Sequence, residues 1–196
     1  MASETHIVLV IGHPDSSKPH LCHALAEQYR AGAEEAGHRV TTVDLGTLDF
    51  PMLRNRDDWE KEPSPAALIP AQKAILDASH LVIIYPLWLG GMPALLKGFL
   101  EQVLRPSLMP KGNDLSAWSK LLKGCSARIV VTMGMPGIAY RVFFRAHTLK
   151  ALKRNILAFS GVGPIRSTIF GMVEGASEKR RAGWLSLMHK LGREAR

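Results

Sequence analysis

Residues 80–104 read HLVIIYPLWLGGMPALLKGFLEQVL, and they hold one complete strand–loop–helix unit. His80–Tyr85 is an unbroken apolar run, the pattern of a parallel strand buried on both faces. Pro86–Pro93 interrupts it with paired glycines and prolines. Pro93–Leu104 then returns to good helix formers, with Pro in the first turn.

The same unit recurs on either side. Upstream, His6–Gly12 (HIVLVIG) is a second buried strand, followed by a helix over Leu21–Ala36 that Gly37 stops. Arg39–Asp44 (RVTTVD) reads as a strand, and Pro70–Ala78 as the helix leading into His80. Between them, Gly46–Pro65 is a polar stretch with Trp59 among charges, too long for a simple connection. Downstream, Ala127–Met133 (ARIVVTM) is the fourth strand, Arg141–Ala158 a helix, Pro164–Val173 the region of the fifth strand, and Ala176–Arg193 the closing helix. Five such units predict an α/β three-layer sandwich around a five-stranded parallel sheet, in a single domain over residues 1–196. If the strand order is 2-1-3-4-5, the ligand crevice is built by the loops after strands one, three and four.

Composition bounds the function. The 196 residues carry a formal net charge of +8, with 46% hydrophobic and 21% charged residues, as in a soluble globular protein. No apolar run reaches the roughly 18 residues of a spanning helix. The first residues lack a secretory pattern, and Cys22 and Cys125 lie too far apart in sequence for a metal-type pair, so we expect reduced thiols, a cytoplasmic location and no metal. The basic balance fits either a solvated surface or attraction to anions. No nucleic-acid-binding signature accompanies it, so nucleic acid is not expected as a partner.

The first loop, Gly12–His20, joins a strand to a helix start, where free N–H groups and the helix dipole favour an anion. It is neither GxxxxGK[ST] nor GxGxxG, and an ordinary capped turn is the competing reading. The second loop, Pro86–Pro93, would expose apolar and aromatic side chains unless a flat ligand, neighbouring segments or a second subunit covers them. The third, Thr132–Gly137, is rich in glycine, which allows close backbone approach. Tyr140 follows it as either a capping aromatic or a hydroxyl donor to substrate.

These residues resemble the flavodoxin-like NAD(P)H:quinone oxidoreductase family, including its DT-diaphorase type and the ancillary subunits of potassium-efflux systems. Tyr85–Val103 (YPLWLGGMPALLKGFLEQV) is similar to that family's strand-three loop and helix, and IVLVIGHPDSS, QKAILDASHLVII and FPMLRNRD fit alongside. The resemblance implies one noncovalent flavin, FMN or FAD, reduced by NAD(P)H and reoxidised by a quinone in two-electron ping-pong hydride transfer. It places the flavin phosphate and ribityl chain on His13, Ser17, Lys18, His20, Leu21 and Cys22. The ring falls against Pro86, Leu87, Trp88, Leu89 and Gly90, with its polar edge towards Thr132, Met133, Gly134 and Met135. Tyr140 and His147 fall near the family's substrate-side pair, and are the expected catalytic residues.

The chain departs from the pattern where Trp88-Leu89 replaces Gln-Trp, where Thr-Met-Gly-Met replaces Thr-Thr-Gly-Gly, at Phe99 for Trp, and at Cys22 for Asn. The basic run Arg141, Arg145, Lys150, Lys153 and Arg154 reads as a solvated face, an NADPH phosphate attractor or a docking face for an acidic partner. The alternative function is a flavin-binding regulatory subunit of a membrane potassium-efflux system, and an electron-transfer flavodoxin is disfavoured by the isoelectric point near 9.8. A homodimer is implied, with Asp49–Glu62, including Phe50, Met52 and Trp59, completing the partner's site.

Overall fold

The computed structural model describes residues 4–108 and 115–196. Strands β1 (His6–Ile11), β2 (Arg39–Asp44), β3 (His80–Pro86), β4 (Ser126–Met133) and β5 (Ile165–Gly171) form one parallel sheet in the order β2-β1-β3-β4-β5. The helices are α1 (Leu21–Glu35), α2 (Arg56–Glu60), α3 (Ile69–Leu76), α4 (Ala94–Val103), α5 (Leu115–Trp118), α6 (Gly137–Val142), α7 (His147–Ala151) and α8 (Glu178–Arg193).

The apolar runs of the strands follow from burial on both faces. Val8 and Val10 of β1 face a layer built with Leu68, Leu96, Phe99 and Leu152. Ile7, Leu9 and Ile11 face the opposite layer, with Leu25, Tyr29 and Met188 of α1 and α8. In that second layer the two helices meet backbone to backbone. A Cβ on Gly32 would lie 2.0 Å from the carbonyl oxygen of His189, and one on Gly192 would lie 2.0 Å from that of Tyr29. Both positions therefore exclude any side chain.

The chain leaves β1 towards β2 on one side and returns to β3 on the other. The order reverses between β1 and β3, and the carboxyl ends of these strands open a crevice.

One expected element differs. The helix expected over Arg141–Ala158 is three pieces: α6 begins earlier, at Gly137, and a break separates it from α7. A π-helical turn, Leu152–Ala158, follows. The break sits on Arg145 and Ala146, with φ of 51° and 49°. Left-handed conformations cost non-glycine residues roughly 1–2 kcal/mol each. Here burial of Ala146, Leu149 and Tyr140 offsets the strain, and the N–H of Ala146 donates to the carbonyl of Tyr140. No Gly or Pro marks the site, so the local pattern could not announce it.

Candidate functional site at the β1/β3 crevice

The first loop folds around its own polar groups. Asp15 accepts from the N–H and hydroxyl of Ser17, at 2.9 and 2.5 Å, and pairs with His20 Nε2 at 2.9 Å. The Ser17 hydroxyl and His20 hold the Asp15 carboxyl well below the usual carboxylate range. Ser16 donates to Asp44 at 2.7 Å, and His23 Nε2 lies 3.5 Å from the same carboxylate, so the loop is tied to the end of β2. Gly46 allows this approach, since a Cβ there would meet Ser16 Oγ at 2.2 Å.

His13 and His20 stack with ring centroids 3.8 Å apart, and His23 completes a three-ring group. Burial, and then the neighbouring His20, lowers the pKa of His13. At the N-terminus of α1, His20 makes no capping bond from its side chain, and the first turn holds no carboxylate. The helix's positive end is thereby left for an external anion.

The second loop is a tight hairpin. Trp88 and Gly91 exchange N–H···O bonds of 2.9 Å, across a turn whose two central residues, Leu89 and Gly90, have φ of 45° and 77°. This is the geometry that favours Asn-Gly, yet a fully exposed Leu stands first. Pro86 and Leu87 are half-buried, and Trp88 sets its edge against His13 at 5.8 Å. Leu87 donates to the carbonyl of Thr132 at 2.8 Å, joining the second loop to the third.

Thr132 and Met133 are buried, whereas Gly134 is exposed and Met135 half-buried, so the reachable part of the third loop is Gly134–Met135. A Cβ on Gly134 would face the Glu174 carboxylate at 3.5 Å. Cys22 is also buried, with its sulfur 3.5 Å from Thr132 Oγ1, and burial pushes its thiol up to about 11. Its side chain lies buried between α1 and β4, which leaves its N–H as its one group available to an anion.

Tyr140 is 2% exposed, and its hydroxyl is engaged inside the chain. It accepts from the N–H of Leu149 at 3.3 Å and lies 3.0 Å from Thr148 Oγ1, which donates to the Gly90 carbonyl at 2.6 Å. The expected donor to a substrate is thus the inner link of a brace between α7 and the Leu89–Gly90 turn. His147 stands exposed at the first residue of α7. Phe50, expected in a partner's site, is buried against Phe99 with centroids 6.3 Å apart, while Met52 is exposed over Gly98.

Each loop therefore touches the next, and the donor set fits a phosphorylated planar cofactor. Ser17, Lys18, His20 and the first-turn N–H groups of Leu21 and Cys22 suit the phosphate, with Asp15 competing for the same donors. The apolar Pro86–Trp88 segment beside His13 suits a ring system. Sequence reading missed Ser16, His23, Asp44 and Thr148. The i,i+3 spacing of His20 and His23 on α1 was a usable signal, whereas Thr148 carried none.

The model of a family described as having a flavodoxin-like fold matches residues 5–188. A protein of Haemophilus influenzae named an uncharacterized NAD(P)H oxidoreductase is 24% identical over 184 residues, spanning 92% of this chain and 90% of that protein. The FMN-dependent NADH:quinone oxidoreductase of Ruegeria pomeroyi is 24% identical over 147 residues, 67% of this chain and 71% of its own. The solved NAD(P)H:quinone oxidoreductase from Methanothermobacter marburgensis has the same fold, with a TM-score of 0.79 at 20% identity over 98% of this chain and 96% of that one.

Proposed function

The chain belongs to the family with the flavodoxin-like fold, and from that premise we propose that it is an FMN-dependent NAD(P)H oxidoreductase acting on quinones or similar small acceptors by ping-pong hydride transfer. One observation carries the reading: the uncapped positive end of α1 and the apolar Pro86–Trp88 platform converge on the β1/β3 crevice. The Haemophilus and Ruegeria relatives support it by their names, as enzymes in their own right, which favours an enzyme over a subunit of a potassium-efflux system. The Ruegeria name favours FMN over FAD.

A bound FMN would supply the hydride carrier between nicotinamide and acceptor. The chain's own contribution is binding and orientation. Ser17, Lys18 and His20 would hold the phosphate at the positive end of α1. Pro86, Leu87 and Trp88 present an apolar wall and keep water from one face. Backbone N–H groups at Gly134 and Met135 would donate to negative charge at the ring's polar edge. His147, exposed at the start of α7, is the candidate catalytic side chain at the rim, while Tyr140 acts through Thr148 as a positioning residue.

The reading includes a homodimer in the cytoplasm. Two buried, unpaired cysteines fit a reducing compartment. An apolar groove of about 410 Å³, lined among others by Trp59, Leu100, Leu104, Trp118 and Phe159, offers a face for a second copy. Among the described residues no helix is long and apolar enough to cross a membrane.

The test is to purify the protein with excess FMN, extract the chromophore and identify it by mass. Anaerobic bleaching by NADH and NADPH is then followed by reoxidation with a water-soluble quinone. Stoichiometric FMN, bleached by nicotinamide and restored by the quinone, is expected. A chain that takes up no FMN overturns the proposal, and elution as a monomer at full activity overturns its dimeric part.

A further inference from the structure

The charge of this chain is unevenly spread. Between Asp114 and Glu174 there is no acidic residue, while nine Lys and Arg fall in that interval. At its centre Arg141–Arg145, RVFFR, is exposed at all five positions. Val142 is 71% exposed and Phe143 79%, Ile138 one turn earlier is 74%, and Phe144 is 49%. The two Phe rings meet edge to face at 5.0 Å, making one apolar knob with an Arg at each side. The left-handed pair Arg145–Ala146 turns the chain back immediately behind the knob, so backbone strain is spent on holding it outward.

Ile138, Val142 and Phe143 are mostly exposed and Phe144 about half, so they add little to the core, and a water-facing surface gains nothing from four large apolar groups in one place. Arg141, Arg145, Lys150, Lys153 and Arg154 make no ion pair among the described residues. An apolar knob flanked by the unpaired Arg141 and Arg145 matches an anionic bilayer, with the rings among the acyl chains and the guanidinium groups at the lipid phosphates. A second copy is the poorer match, because a symmetric contact through this face would set like charges against each other.

We infer that the Ile138–Arg145 knob, with its flanking Arg141 and Arg145, docks the protein on anionic lipid surfaces. Such docking is peripheral; among the described residues no helix is long and apolar enough to cross a membrane. The Thr148–Gly90 hydrogen bond sets the same segment beside the exposed Leu89 turn, so docking brings the crevice to the surface. Access for apolar acceptors dissolved in that surface rests on the reductase reading; the docking itself does not.

The test is co-sedimentation of the full protein with vesicles of phosphatidylcholine alone or with a third of phosphatidylglycerol, at low and high salt. Binding to the anionic vesicles is expected, weaker by on the order of tenfold on neutral vesicles or in high salt. Phe143→Ser with Phe144→Ser, and separately Arg141→Glu with Arg145→Glu, should each lose on the order of tenfold in vesicle affinity while unfolding at an unchanged temperature. No sedimentation with anionic vesicles overturns the proposal. So does undiminished sedimentation of both variants, or a concentration-dependent dimer that these variants dissolve without any vesicle binding. None of these readings needs flavin or turnover, so failure here is separable from failure of the enzyme reading.

Discussion

The Thr148 hydroxyl donates to the carbonyl oxygen of Gly90 at 2.6 Å, bridging the loop after β3 and the helix after β4. The bond spans the rim of the crevice, between a turn that would face the ring and a helix that begins at His147. Thr148→Val keeps the shape and removes the donor. Net loss of one such bond is worth about 1 kcal/mol, so FMN affinity should fall several-fold, and Thr148→Ser should restore it. Fluorescence titration of FMN into the apoprotein checks both.

Tyr140→Phe makes a complementary case. It leaves the Thr148–Gly90 bond in place and strips the partner from the Leu149 N–H, which is buried. Stability should drop by roughly 1–2 kcal/mol. Acceptor turnover should fall through kcat, with FMN affinity retained. Unchanged stability and unchanged acceptor kinetics together would remove Tyr140 from any positioning role.

Leu89 holds φ at 45° with its side chain fully in solvent. Leu89→Asn satisfies the turn chemistry and should stabilise the apoprotein by about 0.5–1 kcal/mol. If Leu89 covers the ring, the same change weakens FMN binding, and thermal unfolding with and without FMN separates the two effects. A variant no more stable than the parent removes the strain argument.

Much of this architecture was legible from alternation alone. The runs HIVLVI, HLVIIY and ARIVVTM have no polar face, which left a doubly covered parallel sheet as the economical solution, and the three ligand loops follow from its strand order. What stayed hidden was decided by contacts distant in sequence. Nothing near Cys22 indicates that Thr132 will close over its sulfur. Nothing near Ala146 indicates a left-handed kink, because the compensation comes from Tyr140 and Leu149 packing behind it. Tyr140 was expected to offer its hydroxyl to a substrate, whereas that hydroxyl is engaged by Leu149 and Thr148, and Thr148 is a residue whose role exists only once the two loops meet.

His80, at the opposite end of β3, gives the stability a pH dependence. Burial first, then Arg128 and Arg166, lower its pKa from 6.5 to about 4. The unfolded chain therefore binds the proton more readily than the folded one. Stability is full above pH 6.5 and declines as the pH falls towards 4. The decline by pH 4.5 should be on the order of 2 kcal/mol, checked by urea unfolding across that range and by the His80 resonance in NMR. A His80 titrating near 6.5 would remove the effect.

The glycine contacts between α1 and α8 also bear on how the chain is made. Residues 21–35 pack on the sheet early, but the face of α1 that meets α8 backbone to backbone stays open until residues 178–193 have been made. Because the contact is between backbones, no earlier helix with ordinary side chains can stand in for the late one. The face of α1 around Tyr29, Gly32 and Ala33 is thus the apolar surface left open longest on the growing chain, and α8 acts as the latch that ends its exposure.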